Sequence, residues 1–167
     1  PALVARMKRA AQRPEDRAYF FDRGLRFGCT QCGGCCTGAT GTVFMNDKES
    51  DRIARHLGLE PADFLERYAY PVKGGHSLRE VGENFACIFF RNERCTIYDV
   101  RPTQCRTYPF WAENVRSEAA WKKTCRDCPG IGQGRLYLRD EILAIAADSL
   151  SQSGVADGTG PQVESEH

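Results

Sequence analysis

Nine cysteines are spread along the 167 residues of this chain. Four of them, Cys29, Cys32, Cys35 and Cys36, fall in one short run as C-x2-C-x2-C-C, and Cys125 and Cys128 repeat the C-x2-C spacing. Cys87, Cys95 and Cys105 lie singly between the two groups. Two intervening residues let a tight turn aim both sulfurs at one centre. Gly33 and Gly34 let the backbone come close, where a side chain would stand in the way. Thiolates crowded together repel one another, and a bound cation is what holds them. The chemistry on offer is therefore metal binding or metal-based redox chemistry, with all nine cysteines as candidate ligands. Cys87, inside Ala86-Cys87-Ile88, also reads as an ordinary buried apolar cysteine, but the run from 29 to 36 does not.

The spacing bears on which metal. Zinc takes four ligands and usually draws them from two separated C-x2-C pairs. Iron–sulfur clusters commonly take C-x2-C-x2-C from one loop and a remote cysteine followed by proline. Cys29, Cys32 and Cys35 make such a run, and Cys128 precedes Pro129. The pattern favours an iron–sulfur cluster, [4Fe-4S], with Zn2+ as the alternative. Adjacent residues usually point in different directions, so Cys35 and Cys36 are expected to face two centres, or one thiolate to bridge two metals. Nine cysteines suffice for two four-cysteine sites and one spare. His56, His76 and His167 are expected on the surface and not as ligands.

Composition narrows the setting. At 41% hydrophobic and 27% charged residues the chain reads as globular. The net charge is +1, which gives no case for nucleic acid. Every Lys and Arg lies at or before Arg139, whereas Asp148, Asp157, Glu164 and Glu166 lie beyond it, so the body is mildly basic and the end acidic. The opening residues are too short and too basic for a secretory h-region. The longest apolar runs, 85–90 and 142–147, fall far below the roughly 18 residues of a membrane span. A cytoplasmic protein without a membrane partner is the expectation. Thiols are kept reduced there, so the cysteines point to metal before disulfides.

Regular elements must carry these loops. Residues 2–13 read as a basic amphipathic helix, with Pro14 ending it or turning the chain. Residues 28–41 are too glycine-rich for anything but a loop. Asn46 is an N-cap for a helix over 47–57 with Glu49 at its third position, Ile53, Ala54 and Leu57 inward, and Gly58 as the stop. Pro61 opens a second helix to about Tyr68, with Phe64 and Leu65 inward. Residues 77–81, 85–90 and 94–98 read as strands, with Asn92-Glu93 as a turn. Pro102 opens a helical turn through Cys105, limited by Pro109. Residues 117–123 form a short helix, 125–134 a second cysteine loop, and 139–150 an amphipathic helix whose apolar residues are Ile142, Leu143, Ile145, Ala146 and Leu150. The stretch after Ser151 reads as a loose acidic tail. The fold class is a small α+β domain, with helices around a short antiparallel sheet at 77–98 and the two cysteine loops meeting over it.

Several blocks resemble the YkgJ-like family, named for its CxxCxxCC motif and described as zinc- or iron-chelating. Phe27-x-Cys29-x-x-Cys32-Gly33-x-Cys35-Cys36-x-Gly38 is similar to its signature. The stretch Cys95-Thr96-Ile97-Tyr98-Asp99-Val100-Arg101-Pro102-Thr103-Gln104-Cys105-Arg106-Thr107-Tyr108-Pro109-Phe110 resembles its C-x-I-Y-x-x-R-P-x-x-C-R-x-Y-P-F block. Cys87 matches the cysteine ahead of that block, and Cys125-x-x-Cys128-Pro129-Gly130-Ile131-Gly132-x-Gly134 its ending. The resemblance spans about residues 27–134 and implies metal at the cysteines. A related group with the same signature includes flagellin lysine N-methylases, which carry additional sequence, and that activity is not carried over.

Arg101 and Arg106 flank Cys105. Guanidinium groups beside a thiolate-ligated cluster would offset its negative charge and raise its potential, or could contact a small anionic substrate. Tyr98, Tyr108, Phe110 and Trp111 read as core, or as a hydrophobic cover over the site. The organisation expected is a lead-in over 1–26, a cysteine-cluster metal-binding domain over 27–150 and an acidic tail over 151–167. Three functions fit: a redox or cluster-dependent enzyme, a zinc-binding structural or interaction module that acts through a partner protein, and a metal carrier. No P-loop, dinucleotide fingerprint or 2-His-1-carboxylate set is present.

Overall fold

A computed structural model describes residues 17–38 and 40–152. It is a small α+β domain with two hydrophobic cores. Helix α1 (Asp47–Leu57) begins at a complete capping box. The Asn46 side chain accepts the Glu49 N–H and the Glu49 side chain accepts the Asn46 N–H, which satisfies two of the donors that a helix start leaves orphaned. Gly58 ends α1 in the left-handed conformation at φ +67°. Pro61 then stands at the first position of α2 (Pro61–Tyr68). These two helices pack with strands β2 (Phe44–Met45), β3 (Ala69–Val72) and β4 (Gly75–Leu78), which form an antiparallel sheet in the order β2-β4-β3. Met45, Ile53, Ala54, Phe64, Ala69, Leu78, Phe89 and Ile97 close the first core.

The stretch expected to be one sheet is divided. Apart from β4, its strands are the two-residue pairs β5 (Glu80–Val81) with β6 (Ala86–Cys87), and β7 (Phe90–Arg91) with β8 (Arg94–Cys95). Phe85 at φ +50° and the pair Asn92 and Glu93 at φ +51° and +60° turn the chain before a longer ladder can form. Asn92-Glu93 is a hairpin turn as expected. Residues 96–98 are not strand, and Tyr98–Val100 is a 3-10 turn. Strand β3 had no distinct signal in the sequence.

The second core is built by the ends of the described chain. Strand β1 (Leu25–Phe27) pairs antiparallel with β9 (Arg135–Tyr137), bringing Phe27 opposite Arg135. Helices α3 (Thr103–Thr107), α4 (Ala112–Val115), α5 (Glu118–Asp127) and α6 (Arg139–Gln152) gather round this ribbon. Phe21, Phe27, Phe110, Val115, Trp121, Cys128, Ile142 and Ala146 are buried there. The Phe110 and Trp121 rings stack at 5.7 Å. Ser117 caps α5 by accepting the Ala120 N–H. That helix runs to Asp127, so Cys125 is helical and not part of a loop. Leu150 is exposed on α6 and adds nothing to the core. The helix expected over 2–13, Pro14 and the tail beyond 152 lie outside the described residues.

Candidate metal centre

The 28–38 loop crosses from β1 towards the first core, and each end is fixed by backbone. At the near end Gly28 N–H donates to Gly130 O at 3.0 Å, and Phe27 bridges Ile131, so the two cysteine loops lie against each other. A Cβ on Gly130 would strike the Gly28 carbonyl. At the far end Cys87 N–H donates to Cys36 O at 2.8 Å, and Gly38 N–H to Asn84 O at 2.8 Å. Between them, residues 33–36 form a turn closed by Cys36 N–H donating to Gly33 O. Gly33 has φ +79°, and the ring of Phe90 occupies the space where its Cβ would be. Glycine is needed there twice over, for conformation and for room.

Around this loop is a cavity of about 220 Å³. Eight of the nine cysteines line it: Cys29, Cys32, Cys35, Cys36, Cys87, Cys95, Cys105 and Cys128. They arrive from both cores. Cys87 and Cys95 pack on the first, Cys128 is buried in the second, and Cys105 comes from α3. Cys125 is not among the lining residues and is exposed on α5. The aromatic rings of Phe27, Phe90, Tyr98, Tyr108 and Tyr137 complete the walls, while Cys29, Cys32 and Cys35 stay exposed to solvent. Phe110 belongs to the second core, and Trp111 donates its indole N–H to Gln104 O.

Cys35 and Cys36 do not diverge as expected. Their sulfurs lie 3.9 Å apart and both residues line the same cavity, with Cys35 exposed and Cys36 half-buried. The hydrogen bond to Cys36 lowers the Cys35 pKa to about 7, and the same contact drives that of Cys36 up. Burial raises the pKa of Cys87, Cys95, Cys105 and Cys128. These thiols shed a proton when a cation offsets the charge. The separation of 3.9 Å is close to the about 3.8 Å edge of a zinc tetrahedron with 2.3 Å Zn–S bonds. Among the described residues, however, no group of three or more His, Cys, Asp or Glu side chains converges closely enough to hold a single ion. The donor set is soft, which suits zinc or iron–sulfur chemistry.

The two arginines differ. The Arg101 guanidinium lies 3.7 Å over the Tyr98 ring, donates to Tyr98 O and lines the cavity beside Cys95 and Cys105. Arg106 lines the cavity too, but its guanidinium is held by the framework. Its Nη1 donates to Arg101 O at 2.7 Å and its Nη2 to Thr103 Oγ1 at 2.6 Å. Burial lowers its pKa, as does the nearby Arg52 charge. Two further residues, given no part in the site by the sequence, prove structural to it. Gln104 holds the incoming strand by accepting Phe44 N–H and donating to Thr42 O. Glu49, expected only as a capping residue, reaches Thr103. Both link segments more than fifty positions apart, a pairing that local pattern does not encode. His56 is exposed on α1 and His76 lies on β4, neither at the cavity, while His167 lies outside the described residues.

The sequence profile described as "CxxCxxCC: Putative zinc- or iron-chelating domain" matches residues 28–129, a span that holds all nine cysteines. The chain belongs to the CxxCxxCC family. An uncharacterized protein of Methanocaldococcus jannaschii is similar to it, at 30% identity over 141 residues, covering 81% of this chain and 74% of that protein. No solved structure matches. As a CxxCxxCC protein the chain is a cysteine-rich, metal-binding one, and the family description spans zinc and iron. No helix among the described residues is long and apolar enough to cross a membrane.

Proposed function

We propose that this CxxCxxCC protein holds a polynuclear iron–sulfur centre in the cysteine cavity and serves a redox or cluster-dependent reaction. One observation carries the reading. Eight thiols line one space of about 220 Å³, twice the four that a lone zinc takes. That number of soft donors suits a polynuclear centre better than a single zinc. A [4Fe-4S] cluster, when bound, supplies one-electron transfer. Such a cluster takes four cysteine thiolates, to be drawn from Cys29, Cys32, Cys35, Cys36, Cys87, Cys95, Cys105 and Cys128, with Cys125 left outside. Arg101 offsets negative charge at the wall and is the group to meet a small anionic substrate. Tyr98, Tyr108 and Phe90 cover part of the cavity wall.

A second reading has its own support. The 3.9 Å Cys35–Cys36 pair fits one edge of a zinc tetrahedron, which would make the chain a zinc-stabilised interaction module or a metal carrier. Metal analysis with a visible spectrum, on protein purified without oxygen, divides the two. Iron with acid-labile sulfide and a brown colour is the expected result. Stoichiometric zinc in a colourless protein overturns the cluster and leaves the module or carrier.

A further inference from the structure

Glu49 is 4% exposed, and its two carboxylate oxygens serve different parts of the molecule. Oε2 accepts the Asn46 N–H at 3.2 Å and completes the capping box of its own helix. Oε1 leaves α1 altogether. It accepts the Thr103 N–H at 2.7 Å and the Thr103 hydroxyl at 2.6 Å. The guanidinium groups of Arg52 and Arg106 approach that same oxygen at 3.9 and 4.0 Å.

Thr103 is the first residue of α3, the five-residue helix that presents Cys105 to the cavity. A helix that short has no independent stability, and its first N–H groups need partners. The residue ahead of it is Pro102, which offers no side-chain cap. The missing acceptor comes from α1. The Thr103 hydroxyl also accepts from Arg106, whose other nitrogen donates to Arg101 O. A connected set of polar contacts thus runs from Glu49 through Thr103 and Arg106 to the backbone of the cavity arginine.

We propose that Glu49 is a positioning residue of the cysteine cavity. It caps α3 across the fold, and so sets where Cys105 stands among the other thiols and keeps Arg106 turned to the framework. The consequence for metal rests on the metal-binding reading, but the placement of Cys105 does not.

The test uses the full chain, as purified and after chelation. Alkylation of Cys105 and of Cys128 by iodoacetamide is followed peptide by peptide, and metal retention is measured against a competing chelator. In Glu49→Ala, Cys105 in the chelated protein is expected to react about tenfold faster through local opening of α3, with Cys128 unchanged. Metal retention should fall by about 10–100-fold, as when partners of metal ligands are removed. Glu49→Gln keeps an oxygen that accepts from Thr103 and should restore the slow Cys105 rate. If Glu49→Ala does not fold, Thr103→Ala, which removes only the hydroxyl contacts, should still speed Cys105 relative to Cys128. An unchanged Cys105 rate overturns the proposal, as does an equal rise at both cysteines, which would mean general loosening. Wild-type protein without metal but with the selective Cys105 effect would sink the metal reading alone. Metal-loaded wild type without that effect would sink this inference alone.

Discussion

The two cores that flank the cysteine cavity are built from different reaches of chain. Residues 45–97 make the first, and its helices carry their own start and stop signals, the Asn46–Glu49 box, Gly58 and Pro61. The second joins residues 21–27 to residues 110–146 through the β1–β9 ribbon and a stack of aromatic rings. Its closure depends on pairing between segments about a hundred positions apart. Such pairing carries a loop-closure cost before any contact forms. Thiols from both cores converge on the cavity, so a group bound there would tie the distal core to the local one. The local core carries its own start and stop signals, whereas the distal one is expected to gain most from a bound metal.

That contrast can be broken or sharpened by experiment. The largest effect is expected on metal. Cys32→Ser and Cys105→Ser should each abolish metal retention and lower the melting temperature, because site and fold form together. Cys125→Ser, outside the cavity, should keep both. Full metal in the first two variants would refute the assignment. Next in size, Phe110→Ala should cost about 3–5 kcal/mol and Ile53→Ala about 2–5 kcal/mol in denaturant unfolding. If the cores depend unequally on metal, chelation should add to the Phe110→Ala loss more than to the Ile53→Ala loss.

Gly33→Ala should cost a few kcal/mol, from a left-handed residue and a clash with Phe90, and should weaken metal retention as well. Asn46→Ala should cost about 1 kcal/mol with metal content unchanged, since it acts only on the local core. The smallest effect is expected for Leu150→Ser, at under about 0.5 kcal/mol for an exposed position. A loss of more than 2 kcal/mol there would mean that α6 is covered by something further.

The first core was largely legible in the sequence, and the site was legible as a list of residues. Asn46, Gly58, Pro61, Ser117 and the Asn92-Glu93 turn act through neighbours a few positions away, so their signals survive in a linear reading. The subdivision of the sheet was not legible, because the chain turns at Phe85, a residue without turn preference. Cys125 was misplaced because its C-x2-C spacing outweighed the helical run from Ser117.

The sequence by itself determined the chemistry: the number, type and spacing of thiols, the glycines that let the loop fold tightly, and the helices that anchor it. Tertiary structure alone decided which thiols share a space. It set the Cys35 and Cys36 sulfurs side by side, put Cys125 on a helix away from the cavity lining, tied the Arg106 guanidinium to the framework, and sent Glu49 to cap a helix 54 positions away. The physical reason is reach. Caps and turns are settled within a few residues of backbone, whereas a cavity wall forms only after distant segments have paired.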